Sequence, residues 1–544
     1  MAESRSDRNA VRMQVASPSS DPVRSRPVSP GRRVAGIARG VYRDDRRLQR
    51  ALLVFMVLFY GSILGFSWRL SLGSELNLTF NSMLQHLLRG QFDVDPQVVG
   101  DEGFLRNGHV YAYWGPWCAL LRLPLWVVRR LDIDMTAWSC LLAVCIAGMA
   151  KVRAVLLVRR HGAQNPIAAW AAGLMLVYSL LAGGEIGYLH VSLYQEVVLW
   201  AFAFAEVFVY WAVKGLVLGR FNSATLCSMA LVTGLAILTR VSTGIGLLVA
   251  MVLLLAVLAI QAGKASSAGS RLSLRHLAHA CINRRILFPV AILAVLLAIT
   301  GIVNYFRWGS AITFADYRIY LSNDPLRIAR DQVYGLFNLN RIPFGLVYYF
   351  LPVWVLHGNN GELLFQQAQI RLFDGIEVPP SSFFLTDLLP LCFILLLAIA
   401  LWKRRPGGLP RLGQWAAAIA VGLFGPCVLM LTAVYLAYRY RMEFYPEIDF
   451  LAFLGLYLTL TDEALLRTFA RWRRWMTTAL AVSIVTSFVA LLLYDLGGSG
   501  PLYDPADIPS SGIIPEGIVR LYWQGAASLF LRGMARLHAH YRWL

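Results

Sequence analysis

Long apolar runs recur along most of the 544-residue chain, and short polar or basic connections separate them. Many of the runs approach the roughly 18–20 apolar residues that an α-helix needs to cross a bilayer. This pattern predicts an all-α polytopic membrane protein with about eleven transmembrane helices. The predicted spans are 51–69, 136–158, 166–183, 195–214, 224–240, 243–262, 286–304, 382–402, 413–437, 447–461 and 476–495.

Basic residues predict the orientation of these spans. The short connections that begin near Arg159, Lys264, Lys403 and Arg467 are basic. Because Lys and Arg accumulate in cytoplasmic loops, we expect the N-terminus inside and the C-terminus outside.

The same pattern divides the chain into three parts. Residues 1–50 contain twelve Arg and no apolar run, which predicts a disordered basic cytoplasmic arm. Residues 51–495 form the predicted transmembrane domain, and 496–544 a periplasmic C-terminal segment.

Two outer connections, 70–135 and 305–381, are far longer than the others. Long loops are often functional, and these are rich in aromatic residues. Within the first, 113–128 is apolar but short, which predicts an interfacial helix at the outer surface. In the second predicted span, Lys151 and Arg153 are expected to snorkel toward the cytoplasmic face.

Composition narrows the function classes. Hydrophobic residues make up 57% of the chain and charged residues only 15%, which excludes a disordered chain and a small disulfide scaffold. The net charge of +19 follows from the basic connections, so nucleic acid is not an expected partner. The seven Cys show no metal-ligand spacing, and no metal-binding residue is predicted.

Acidic candidates lie in the predicted outer segments. Glu75 begins an amphipathic stretch, and Asp101 and Glu102 follow it in the same loop. Glu196 lies at the outer end of a span. Each has a structural alternative: Glu75 as a helix-start acid, Asp101 and Glu102 as turn residues, and Glu196 as an interfacial acid.

Basic and aromatic candidates lie at the outer ends of the spans. Arg240 could instead reach lipid headgroups, and Arg439, Arg441 and Glu443 could form a local ion-pair cluster. The predicted substrate-binding residues are Arg240, Arg307, Arg439, Arg441, Glu443, Tyr113 and Tyr194.

Several short motifs occur in a fixed order. They are Glu75 about fifteen residues before Gly90, Tyr113-Trp-Gly-Pro116, Arg159-Arg-His-Gly162, Tyr194-Gln-Glu196, Gly234-Leu-Ala-Ile-Leu-Thr-Arg240, Asn304-Tyr-Phe-Arg307 and Arg439-Tyr-Arg-Met-Glu443. In this order they resemble the polytopic glycosyltransferases of the C superfamily. The similarity is greatest to the protein-mannosyltransferase and aminoarabinose-transferase branch and to bacterial relatives of unassigned substrate.

The resemblance implies a GT-C-like fold and a reaction on the periplasmic side of a bacterial cytoplasmic membrane. A hexosyl or pentosyl group would pass from a polyprenyl-phosphate donor to an envelope glycan, lipid or protein. Glu75 would be the base, with Asp101, Glu102 and Glu196 as alternatives or helpers. The arginines would neutralise the leaving phosphate. Some such enzymes use a divalent metal and others do not.

Two departures from the family pattern leave other functions open. The family's usual Asp is Glu at position 75, and a common Lys is Arg at position 240. A scaffold with a decayed site, a polysaccharide polymerase or ligase, and a transporter or flippase of a lipid-linked substrate are the alternatives. The few charges expected deep in the spans speak against the transporter.

Overall fold

The structure is a computed structural model that describes residues 30–70, 75–266, 284–351, 371–376, 381–403 and 410–497. Its internal contacts divide the chain into two units, Met1–Leu48 and Gln49–Leu544. Of the first unit, the described residues form the beginning of one helix. The second unit contains all the other described elements.

The described residues are mainly α-helical. In chain order the helices are α1 Pro30–Leu70, α2 Thr79–Leu88, α3 Pro96–Val99, α4 Trp117–Leu120, α5 Leu123–Val127, α6 Thr136–His161, α7 Pro166–Leu181, α8 Gly184–Gly187, α9 Leu193–Val217, α10 Ser223–Ile237, α11 Val241–Ser266, α12 Arg284–Trp308, α13 Pro325–Tyr334, α14 Ile342–Phe350, α15 Phe383–Thr386, α16 Leu388–Lys403, α17 Pro410–Thr432, α18 Tyr445–Thr461 and α19 Glu463–Gly497.

Short elements fill the connections between the helices. The 3₁₀ turns are Glu75–Leu78, Gly100–Glu102, Tyr317–Ile319, Leu339–Arg341 and Tyr438–Glu443. The strands are β1 Phe104–Arg106, β2 His109–Tyr111, β3 Gly375–Ile376 and β4 Tyr435–Leu436. Strands β1 and β2 pair antiparallel, whereas β3 and β4 pair in parallel.

Eight helices within the described ranges are long and apolar enough to cross a membrane. They are Asp45–Ser67, Thr136–His161, Pro166–Gly187, Leu193–Val217, Val241–Gly263, Arg284–Trp308, Gly413–Thr432 and Glu463–Leu492. Each coincides with a predicted span. The three other predicted spans coincide with α10, α16 and α18, of 15, 16 and 17 residues. The polytopic, mainly helical fold is therefore confirmed, while the count of eleven and the orientation stay predictions.

Helix α1 begins at Pro30, inside the segment predicted to be disordered. Proline is favoured at the first helical position, and the Arg, Ala and Leu that follow are good helix formers. Residues 30–50 are therefore helical. Residues 1–29 lie outside the described part of the chain, as does most of the predicted C-terminal segment 496–544.

The transmembrane helices pack through small residues. A Cβ atom added at Gly422 of α17 would lie 2.2 Å from the backbone nitrogen of Ala250 in α11. Only glycine permits this approach, as is common where helices pack in membranes. The other extensive pairs are α6 with α9, α10 with α12, and α16 with α18.

The centre of the helical unit contains charged groups that the sequence analysis did not expect. Lys151 of α6 is fully buried, with Nζ 2.8 Å from Glu185 Oε1 and 2.6 Å from Asp449 Oδ2. Glu206 of α9 is also buried beside them. The prediction that Lys151 snorkels is wrong, because two carboxylates neutralise its charge inside the bundle. The expectation of few deep charges is wrong for the same reason.

A second buried ion pair fixes the first long loop. The segment 113–128 forms the short helices α4 and α5, and Arg122 between them has no exposed surface. Its guanidinium forms a bidentate pair with Glu196 at the start of α9. It also donates to the Cys118 carbonyl and lies within 3.5 Å of the Asn81 and Thr136 oxygens. One side chain thereby joins the loop, α2, α6 and α9.

Removing one partner of this pair would leave a buried charge without compensation. We expect Arg122→Ala to lower the free energy of unfolding by about 3–5 kcal/mol. Arg130→Ala is the matched control, because Arg130 pairs with Asp132 on the exposed surface just after this segment. In thermal unfolding of the purified proteins, the melting temperature should fall strongly for Arg122→Ala and hardly at all for Arg130→Ala. Equal small changes would contradict the proposed anchoring role.

Candidate functional site

A β-hairpin positions Glu102 in the first long loop. Asn107 and Gly108 both have positive φ angles of 51° and 80°, as a two-residue hairpin turn of type I′ requires. The turn joins β1 to β2, with Phe104 opposite Tyr111. Glu102 ends the 3₁₀ turn just before β1 and remains half-buried. Its carboxylate is therefore held by local backbone geometry but stays accessible.

The second long loop lies across this hairpin. The Tyr320 hydroxyl donates a 2.9 Å hydrogen bond to Glu102 Oε2, and the Leu321 amide donates one of 2.9 Å to the Gly103 carbonyl. The Phe104 ring packs at 4.9 Å from Tyr320 and 5.5 Å from Tyr317. Two loops separated by more than two hundred residues thus meet at one carboxylate.

Tyr113 enters the site because its neighbours dock on another turn. The Gly115 amide donates to the Thr239 carbonyl at 3.3 Å, and the Trp117 amide to the Leu238 carbonyl at 3.1 Å. These bonds bring residues 113–117 against the turn that ends at Arg240. Burial raises the pKa of the Tyr113 hydroxyl well above its ordinary value, so this group stays a neutral hydrogen-bonding group.

Arg240 and Glu443 form an ion pair at the edge of the site. Glu443 also accepts hydrogen bonds of 2.6 Å from the hydroxyls of Ser242 and Thr243. The pair uses Nε of Arg240, whose side chain remains 18% exposed. The two Nη groups, which make no hydrogen bond to the described residues, remain able to bind an anion.

Arg439 and Tyr194 complete the ring of side chains. The Arg439 guanidinium lies 4.7 Å from the Tyr194 ring centre and 5.5 Å from that of Tyr440. The Tyr194 hydroxyl also interacts electrostatically with the Glu102 carboxylate. A carboxylate and a guanidinium therefore both lie near one tyrosine. An acceptor hydroxyl and a phosphate could both bind here.

Six of the eleven predicted site residues share this region, which we call the Glu102 cluster. They are Glu102, Tyr113, Tyr194, Arg240, Arg439 and Glu443. Tyr317, Tyr320 and Tyr440 belong to it but were not predicted, since their sequence signal is only that of aromatic residues in long loops. Burial raises the pKa values of Tyr317 and Tyr320, which keeps both hydroxyls neutral.

The other acidic candidates lie in different surroundings. Glu75 is exposed at the start of its 3₁₀ turn, and no partner for its carboxylate is seen among the described residues. Asp101 is exposed, and its backbone carbonyl accepts a 2.7 Å bond from Ser322. Glu196 is fully buried against Arg122.

Two of the arginine candidates are buried and hold neighbouring segments together by hydrogen bonds. Arg307 is buried and donates to the Trp114 carbonyl at 2.8 Å, beside the Glu102 cluster. Arg441 points away from the cluster and lies 3.3 Å from Asp387, with Nη2 2.8 Å from the Thr386 hydroxyl. Both side chains hold segments that carry members of the cluster.

A histidine and carboxylate group lies elsewhere on the first loop. Asp93 bridges His86 and His109 at 2.8 Å and 2.7 Å. Burial opposes ionisation of Asp93, yet the hydrogen bonds from both imidazoles hold its pKa below the ordinary value. Among the described residues, no group of three or more His, Cys, Asp and Glu side chains is arranged to hold a metal ion.

An apolar groove opens beside Arg240. Its volume is about 620 Å³, and its walls come from α10, α11, α12 and the chain that follows α12. Ile237 and Ile245, which line it, flank Arg240 in sequence. Tyr305, Phe306 and Ile312 form its exposed side. The groove is apolar and large enough to accept a hydrocarbon chain.

No protein-family model matches the chain, and no curated protein sequence matches it. Among solved structures it is similar to the oligosaccharyltransferase AglB from Archaeoglobus fulgidus in complex with an inhibitory peptide and a dolichol-phosphate. The identity is 14% and the TM-score 0.42, over 84% of this chain and 56% of that one. A structure of the Archaeoglobus fulgidus oligosaccharyltransferase tethered with an acceptor peptide gives 13% and 0.39, over 80% and 55%.

The chain thus spans about half the length of these archaeal chains. Likenesses at this level leave the function to be argued from the residues of the site.

Docking of residues 113–117 can be tested at Gly115. A Cβ atom there would lie 1.9 Å from the Leu238 carbonyl oxygen. We expect Gly115→Ala to cost about 1–3 kcal/mol of stability, because either the segment or the turn must move. Gly173→Ala is the control, since no atom lies within 4 Å of its added Cβ. An unchanged melting temperature for Gly115→Ala would contradict the close contact.

Proposed function

We propose that the chain is a membrane glycosyltransferase of the GT-C type. It transfers a sugar from a polyprenyl-phosphate donor to an envelope acceptor on the periplasmic side of a bacterial cytoplasmic membrane. The observation that carries the proposal is that Glu102, held by Tyr320, and Arg439, over the Tyr194 ring, lie in one cluster formed by the two long loops. The apolar groove beside Arg240 and the ordered motifs of the sequence support it.

Glu102 is the proposed base. It takes the proton of the acceptor hydroxyl while that oxygen attacks the anomeric carbon of the donor sugar. The bond from the anomeric carbon to phosphate breaks, and its electron pair leaves with the polyprenyl phosphate. The hydroxyl of Tyr320 orients the carboxylate. This assignment replaces the expectation of Glu75, whose carboxylate has no comparable surroundings.

The arginines of the cluster are proposed to bind the donor phosphate. Arg439 and the Nη groups of Arg240 supply positive charge to the cluster. Charge-assisted hydrogen bonds to phosphate strengthen as the leaving group gains charge. Glu443 holds Arg240 in place, with Ser242 and Thr243 fixing the carboxylate in turn.

The groove is proposed to hold the donor's hydrocarbon tail. Its lining is almost wholly apolar, and two of its exposed residues, Tyr305 and Phe306, belong to a helix long enough to span the membrane. The tail of a lipid entering from the bilayer would remain in an apolar environment. Its phosphate would then lie next to Arg240. This layout requires the sugar and the acceptor to meet at Glu102.

The test is sugar transfer by the purified protein from a panel of radiolabelled polyprenyl-phosphate sugars. We expect Glu102→Gln to reduce transfer by about 10²–10⁴-fold, because the amide cannot accept the proton. Asp101→Asn is the matched control one residue away, and Glu75→Gln tests the earlier expectation. Both should retain most of the activity. Full activity in Glu102→Gln with loss in Glu75→Gln would reverse the assignment.

A second candidate function is favoured by the buried charges around Lys151. Ionisable groups deep in a membrane domain are typical of transporters, so a flippase of a lipid-linked substrate is the alternative. In proteoliposomes, this alternative predicts that a labelled polyprenyl-phosphate sugar crosses the bilayer faster than in protein-free vesicles. Lys151→Met should abolish that movement, and Glu102→Gln should leave it intact. Transfer without movement would exclude the flippase.

A further inference from the structure

Glu206 is an acid in an unusual position. It lies in the middle of α9 and is only 1% exposed. Its two carboxyl oxygens receive no hydrogen bond from an N–H or hydroxyl group of the described residues. Its acidic neighbour is the carboxyl group of Asp449 in α18, a helix that packs against α9. Two carboxyl groups can share a hydrogen bond only when a proton lies between them.

Lys151, the cation that contacts these acids among the described residues, is already paired with Glu185 and Asp449. Lys151 Nζ lies 2.8 Å and 3.0 Å from the two oxygens of Glu185 and 2.6 Å from Asp449 Oδ2. These contacts place the ammonium charge between Glu185 and Asp449. Three ionised carboxylates around one ammonium would leave a net charge of about −2 in an apolar interior. Such uncompensated charge is costly, and a proton on one of the three acids reduces it by half.

We propose that Glu206 and Asp449 form a proton-binding site inside the membrane domain, with the proton held on the Glu206 carboxyl at neutral pH. Glu206 then donates to Asp449, and Asp449 and Glu185 remain ionised against Lys151. The site is separate from the Glu102 cluster, and it does not depend on the function proposed for that cluster.

The groups that face the site fix this distribution of charge. The titratable side chains on the surrounding elements are Tyr60 of α1, Cys145 and Lys151 of α6, Tyr178 of α7, Glu185 of α8, Asp387 after α15, Arg441, and Tyr445 and Asp449 of α18. Asp387 has its own partners, because Arg441, Tyr178 and Tyr445 all contact its carboxylate. The rings of Phe202 and Tyr445 enclose Lys151 at 4.9 Å and 5.7 Å. Among the described residues, Glu206 therefore has no cation of its own.

The proposal has a measurable consequence for stability. The unfolded chain releases the Glu206 proton at neutral pH, whereas the folded protein keeps it. Stability must therefore fall as pH rises, by about tenfold in the folding equilibrium for each pH unit and each retained proton. Glu206→Gln has the shape of the protonated acid but cannot titrate, so it should remove one proton from this dependence.

The experiment compares Glu206→Gln with Glu185→Gln in the full chain reconstituted in nanodiscs. Melting temperatures are measured from about pH 6 to about pH 8. We expect Glu206→Gln to melt near the wild type at the lower pH and to lose stability less steeply as pH rises. Glu185→Gln should melt well below the wild type throughout, because it removes an ionised partner of Lys151. A large loss in Glu206→Gln with no loss in Glu185→Gln would overturn the assignment.

Infrared spectroscopy gives an independent readout that does not depend on folding equilibria. A protonated carboxyl group has a C=O stretching band distinct from that of a carboxylate. At neutral pH, the spectrum of the wild type minus that of Glu206→Gln should contain a protonated-acid band that shifts in heavy water. The wild type minus Glu185→Gln should lack this band. Its absence from the first difference spectrum would place the proton elsewhere and refute the proposal.

Discussion

A charge inside an apolar helical bundle must be neutralised where it lies, because water cannot reach it. Three buried groups of this protein obey that constraint: Arg122 with Glu196, Lys151 with Glu185 and Asp449, and Arg441 with Asp387. Each joins segments that are distant in sequence. These buried ion pairs therefore help to determine which helices and loops lie next to one another, and the remaining elements pack around them.

The Glu102 cluster depends on these buried pairs. Arg441 lies in the same 3₁₀ turn as Arg439 and Glu443 but turns inward to Asp387. The inward contact fixes the turn, so its neighbours face the opposite side, where Tyr194 and Arg240 lie. The Arg122 pair likewise holds the chain just after Tyr113 against the start of α9. A site built on loops thereby gains the rigidity of the membrane domain.

Periodicity and charge predicted most of the helices, because long apolar runs have few structural solutions in a bilayer. They could not identify the acid at the centre of the site, since Glu102 is distinguished by Tyr320, which lies 218 positions further along the chain. One local signal was available: Asn107-Gly108 indicates a hairpin beside Glu102. The snorkelling predicted for Lys151 was wrong for a related reason. A lysine in an apolar span is buried only where other helices supply acidic partners, and those partners are distant in sequence.

The degree of burial determines which chemical role each acid of this protein can have. A general base must exchange a proton with an acceptor that enters from outside, so its carboxylate has to be reachable yet held in place. An acceptor cannot reach Glu196, because its side chain is fully buried. Glu75 is exposed, and no described group orients its carboxylate. Glu102 alone among these three is half-buried and bound by a tyrosine hydroxyl, that of Tyr320. Glu206, sealed from solvent, can only keep its proton, and so contributes to the charge balance of the interior rather than to the reaction.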